Sequence, residues 1–86
     1  MSASTDVWLE RLGRERLRYH RGRRRIVVES ELLDGVTHSI CVYRSSIVRW
    51  EPPHELEPVT EADRDQILND IRRIVLAAGS RDIQVA

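Results

Sequence analysis

The chain has 86 residues, enough for one small hydrophobic core and too few for two, so a single domain over 1–86 is expected. Its 41% hydrophobic content and its balance of 14 basic against 14 acidic residues exclude a chain held unfolded by like-charge repulsion. No apolar run approaches the ~18 residues of a membrane helix, and the opening "MSASTDVWLERLGRER" lacks the apolar stretch of a secretory signal, so a cytoplasmic protein without membrane partners is expected.

The neutral total conceals a segregation. Every basic residue is arginine, and "RLGRERLRYHRGRRR" (11–25) concentrates them, whereas 51–70 holds Glu51, Glu55, Glu57, Glu61, Asp63, Asp65 and Asp70 against Arg64 alone. Each patch acts on its surroundings over a Debye length of about 8 Å in physiological salt, so local charge rather than net charge governs partners. Cys41 is the single cysteine, which rules out an internal disulfide and a multi-cysteine zinc site and suggests a small buried apolar side chain.

In chain order, "DVWLERL" within the first 13 residues reads either as a short helix or as an extra edge strand, and leaves Trp8 as an exposed anchor if it does not dock. In "RERLRYH", Glu15, Leu17 and Tyr19 alternate with Arg14, Arg16, Arg18 and His20, the period-2 pattern of a half-buried strand with a basic outer face. Gly22 permits a turn into "RRIVVESE", where Ile26 and Val28 oppose Val27, Glu29 and Glu31, and the two segments make a hairpin.

Asp34-Gly35 is a preferred type I′ pair, because both central positions need positive φ, and it predicts a second hairpin. In the return strand Val36, His38, Ile40 and Val42 share the core face. "IVRW" (47–50) reads as a short fourth strand ended by Pro52-Pro53, which removes two backbone donors.

Thr60 predicts a helix N-cap, with Asp63 three residues on as a short capping-box acid. Ile67, Leu68, Ile71, Ile74, Val75 and Ala78 form one apolar stripe on a 3.6-residue period, and Gly79 is the expected residue just past the end. "DIQVA" supplies a last strand. The expected class is α+β: a small, mostly antiparallel sheet of four or five strands with one long C-terminal amphipathic helix, in the order β-β-β-β-α-β.

Chemistry is sparsely signalled. His38 and Cys41 lie three apart on one strand and face opposite ways, and Ser45-Ser46 lacks the glycines of a nucleophile elbow. His54, Glu55 and Glu57 sit in a proline-bounded loop without the HExxH helix of a metal site. No glycine-rich phosphate loop occurs, and 86 residues leave little room for a substrate cleft. The expectation is a chain that is not an enzyme, with no catalytic residue, metal or cofactor.

Binding is left. Arg16, Arg18, Arg23 and Arg25 on the first hairpin can grip phosphates, contact an acidic protein, or serve as a solvated edge that discourages strand-to-strand aggregation. The aromatic residues do not interleave with them as a base-stacking platform requires, so nucleic acid is the weaker choice. "WEPPHELEP" (50–58) reads either as a rigid connection with Trp50 buried or as a preformed acidic rim beside an aromatic anchor.

"VYRSSIVRWEPPHE" followed by "VTEADRDQILNDIRRIVLAAGSRDIQV" resembles small immunity proteins of bacterial polymorphic toxin systems, contact-dependent inhibition systems among them. In one group of these a W-x-P-like stretch leads into an S/T-E-x-D/E-R-x-x-I-x-x-x-I helix and a terminal strand. The resemblance covers about residues 40–86, and the first 39 agree only in length and strand character. It implies a non-enzymatic antidote that binds one toxin effector domain, often a nuclease, and blocks its active or essential surface. Glu51, Glu55, Glu57, Asp63 and Asp65 are then the acidic candidates for that contact, with Tyr43, Arg44 and Trp50 as anchors. The basic hairpin departs from what an antidote to a basic toxin needs.

Overall fold

The computed structural model describes residues 6–34, 39–80 and 82–86. Five strands, β1 (Val7–Arg11), β2 (Arg16–Arg21), β3 (Arg24–Asp34), β4 (Ser39–Val42) and β5 (Asp82–Val85), form one sheet in their sequence order. The helix α1 (Glu61–Ala77) lies between β4 and β5 in the chain, so the class is α+β and the order is β-β-β-β-α-β, as expected. All pairings are antiparallel except β4 with β5, which is parallel and therefore needs a crossover, supplied by α1.

Two of the expected elements exchange places. "DVWLERL" is neither helix nor undocked but the edge strand β1, paired with β2 so that Trp8 faces His20 and Glu10 faces Arg18. Val7 and Leu9 pack on the core, which puts Trp8 and Glu10 on the other face. "IVRW" is not a strand. Ile47 and Trp50 are both buried while Val48 is 64% exposed, a spacing of three that period-2 backbone cannot satisfy. A 3-10 turn at Arg44–Ser46 offsets this segment from β4, and the Glu51 N–H to the Arg25 carbonyl, 2.8 Å, ties its end to β3.

The β2–β3 hairpin turns through Gly22 at φ +62°, a conformation that costs glycine nothing. Leu17 and Tyr19 on β2 face Val28 and Ile26 on β3, all four buried. Ile40 and Val42 continue the layer into β4, and Ile83 into β5. The turn expected at Asp34-Gly35, with Val36 and His38, lies outside the described residues. Cys41 is buried with a free thiol.

Helix α1 starts at the predicted cap: Thr60 Oγ1 accepts from the Asp63 N–H at 3.0 Å, and Asp63 Oδ2 accepts from the Thr60 N–H at 3.1 Å. At the far end Gly79 has φ +105°, its N–H reaches the Leu76 carbonyl at 3.2 Å and the Ser80 N–H the Val75 carbonyl at 3.0 Å, which is a Schellman closure. Seventeen residues make a rod of about 26 Å. That exceeds the roughly 19 Å between the outer strands of a five-stranded sheet, and α1 contacts both edge strands, β1 and β5. Ile67, Leu68, Ile71 and Val75 are buried from the predicted stripe, Ile74 is half-buried, and Ala78 is the exposed C-cap. Asp70, expected as one more surface acid, is buried beneath the helix.

Candidate partner-binding surface

The two charged segments are partners of each other. Arg18 Nε donates to Glu51 at 2.8 Å, Arg24 donates from Nε and Nη2 to Glu57 at 2.8 and 2.6 Å, and Arg21 reaches Asp63 at 3.2 Å. The hairpin β2–β3 thus lies along the acidic connection and the first turn of α1, and opposite charges distant in sequence cancel in space. Arg21 also sits 5.2 Å from the centre of the Trp50 ring. Asp63 is held below the usual carboxylate range by the Thr60 N–H first and by Arg21 after it. Glu10 is lowered by His20 and then Arg18, while Arg18 is raised by its bonds to Glu51 and Glu10.

A second knot ties the helix start to the end of β4. Arg44 spans Glu61 at 2.8 Å and Asp65 at 2.9 Å, four residues apart on one helix face. Arg64 bridges Glu61 at 2.6 Å and the Ile47 carbonyl at 2.9 Å. Glu61 is lowered, chiefly by Arg44. Tyr43 donates to Glu31 at 2.7 Å, and that carboxylate pushes the phenol up to about 12.

The sequence-derived candidates therefore fare unequally. Trp50 is 2% exposed and belongs to the core, where Ile47 also points inward, so its ring is not presented to a partner. Glu51, Glu57, Asp63 and Asp65 are each engaged by an arginine, as is Tyr43 by Glu31. Among the described residues Glu55 is the one acidic candidate without a partner. Of the arginines proposed for phosphate contact, Arg18 is engaged between Glu10 and Glu51, and Arg16 stands opposite Glu29 on β3. Arg23 and Arg25 are exposed, and neither forms an ion pair among the described residues.

Leu56 escaped the sequence reading, and Trp8, expected to be exposed only if its segment stayed undocked, is exposed on a docked strand. Leu56 is 93% exposed at the tip of the acidic connection, where attention to charge obscured one apolar residue between two glutamates. Trp8 is 50% exposed on the outer sheet face, its ring stacked on His20 with centroids 3.7 Å apart and planes 6° from parallel. His20 Nε2 lies 3.0 Å from Glu10, which also takes Arg18. Alternation in "VWLER" was the signal for this placement: with Val7 and Leu9 inward, Trp8 shares a face with Arg16, Arg18 and His20 after all. Glu10 and Glu29 share that face too, so it is mixed in sign rather than a phosphate-binding stripe.

One surface recess of about 260 Å³ is lined by Glu15, Glu29, Ser30, Glu31 and Tyr43, and another of about 470 Å³ by Arg44, Ser45, Val48, Glu61, Arg64 and Ala86. Neither brings a serine or cysteine to a histidine base. Among the described residues no three His, Cys, Asp or Glu side chains converge as metal ligands.

Compared with known proteins, the chain matches no curated protein and no solved structure. The model of one family, Immunity protein 74, matches residues 11–83, a span that takes in the arginine hairpin as well as the acidic connection and the helix. The chain belongs to the Immunity protein 74 family.

Proposed function

We propose that this immunity protein binds the effector domain of a cognate toxin and neutralises it by covering its active or essential surface, in the cytoplasm of the cell that carries both. The observation that carries this reading is the family match across both charged segments, together with a family character that is not normally catalytic. Binding rather than turnover also suits a surface whose acids and arginines are engaged with each other.

The internal pairing narrows the electrostatic part of the reading. An antidote that imitates a run of phosphates needs unmatched carboxylates, and Glu51, Glu57 and Asp63 are matched by Arg18, Arg24 and Arg21. Pairs at this degree of exposure are modest in energy but fix side-chain positions. Recognition then rests on shape and on the few unmatched groups, with charge setting orientation and approach rate.

Co-expression provides the test. The effector domain encoded beside this chain's gene should arrest growth alone and permit growth when the chain is made with it, whereas an unrelated effector domain should still arrest. Arrest in the presence of abundant, folded chain would remove the reading.

A further inference from the structure

The acidic connection is built as a rigid projection. It leaves the core at Trp50 and returns at Val59, which packs against the core, so both roots are anchored. Between them lie two hydrogen-bonded turns in succession, His54 N–H to the Glu51 carbonyl and Glu57 N–H to the His54 carbonyl, each 3.0 Å. Glu51 is clamped by Arg18 at one foot and Glu57 by Arg24 at the other, and the Glu51 N–H is held by the Arg25 carbonyl. Glu55 and Leu56 occupy the two central positions of the second turn. Glu55 has no ion-pair partner among the described residues and Leu56 is 93% exposed, while His54, which opens the turn, keeps a buried ring nitrogen, Nδ1, without a hydrogen-bond partner.

From this arrangement we infer that the 54–57 turn is the anchoring element for the toxin domain: Leu56 enters an apolar pocket on the toxin, and Glu55 meets a positive charge on the pocket's rim. This rests on the toxin-binding reading and specifies its contact. The fold gains nothing from Leu56 in its exposed position, since burying none of its surface forgoes the hydrophobic contribution of a leucine. A partner gains much, because an apolar side chain presented on a preorganised turn loses little freedom on docking, and anchors of this kind dominate interfaces. The sign of the rim follows from Glu55, the unmatched carboxylate in a segment whose other candidate acids are neutralised from within the chain.

The test is binding of the purified full chain to the effector domain encoded beside its gene, inactivated for handling, by calorimetry. Leu56→Ala should weaken Kd by about 30-fold or more, the threshold of an interface hot spot. Glu55→Gln should weaken it less and flatten its salt dependence. Val48→Ala, which trims another exposed apolar side chain, should bind as the unmodified chain does. Both tip residues are exposed and unpartnered, so unchanged melting temperatures confirm that the variants are folded. Full affinity in Leu56→Ala, or an equal loss in Val48→Ala, overturns the anchor while leaving the toxin-binding reading intact; failure of the unmodified chain to bind sinks both.

Discussion

Tyr19→Phe isolates a polar contact buried between the sheet and the helix. Tyr19 is 0% exposed, and its hydroxyl donates to Asp70 Oδ2 at 2.6 Å; Asp70 is itself 6% exposed. The other carboxylate oxygen takes Gln66 at 3.0 Å and Arg73 at 3.4 Å, so deleting the hydroxyl leaves Oδ2 without a donor beneath the helix. A hydrogen bond to a charged group is worth about 1.5–3 kcal/mol net, and the ring of phenylalanine fills nearly the same space, so little cavity cost is added. At about 4–8 °C per kcal/mol for a domain of this size, the melting temperature should fall by roughly 6–24 °C. Thermal and urea denaturation monitored by circular dichroism read the loss, with an unchanged m-value showing that both transitions compare the same states. The double variant Tyr19→Phe with Asp70→Leu should be less destabilised than the sum of the singles, because it removes the stranded acceptor as well as the donor. A fall of less than about 3 °C in Tyr19→Phe, or strict additivity in the double variant, would refute the reasoning.

Other expectations follow from local chemistry. Thr60→Ala removes half of the capping box and should cost about 1 kcal/mol, seen as a lower urea midpoint; Thr60→Ser should retain most of it. Glu10, Glu61 and Asp63 all have pKa values lowered relative to the unfolded chain, so near pH 4 the unfolded state binds more protons. Their stabilisation is present above that range and should drain away as pH falls from about 5 downward, a loss that Glu61→Gln should reduce in a pH-resolved denaturation series. Both tyrosines are raised, Tyr19 by burial first and then by Asp70, Tyr43 by Glu31 to about 12. A raised group stabilises the fold below its unfolded pKa of about 10 and ceases to do so as pH rises through the folded value. Ultraviolet titration should therefore show no tyrosinate near pH 10 while the chain is folded, and a normal tyrosine step there would contradict the two hydrogen bonds.

What the sequence revealed follows the range of the interactions involved. The cap at Thr60, the stripe from Ile67 to Val75 and the glycine stop at Gly79 are all decided within a few residues, and they stand where local rules put them. The alternation of Leu17 and Tyr19 with Arg16 and Arg18 was equally legible, because strand period turns one face of β2 to the core; His20, on the other face, is nonetheless buried, with the Trp8 ring stacked on it. "IVRW" misled because its β-branched and aromatic residues suit a strand, whereas its two inward residues, Ile47 and Trp50, stand three apart and fit only a core-facing connection. The pairing of Arg18 with Glu51 and of Arg24 with Glu57 spans 33 residues, and Arg21 reaches 42 residues to Asp63. Segregated charge along a chain shows that such pairs are available without showing whether they meet each other or a partner. Asp70 was invisible for a related reason: a carboxylate on the polar side of a helical pattern reads as surface until a tyrosine from another element is found beneath it.

The central claim is that this chain neutralises an effector domain by binding it. Titrating the full chain into the active effector domain encoded beside its gene, with heat of binding and residual toxic activity followed together, tests that claim most directly. A saturable association whose titration end point coincides with loss of activity is the predicted result. Undiminished activity, with no heat at concentrations well above those needed to protect a cell, would contradict it.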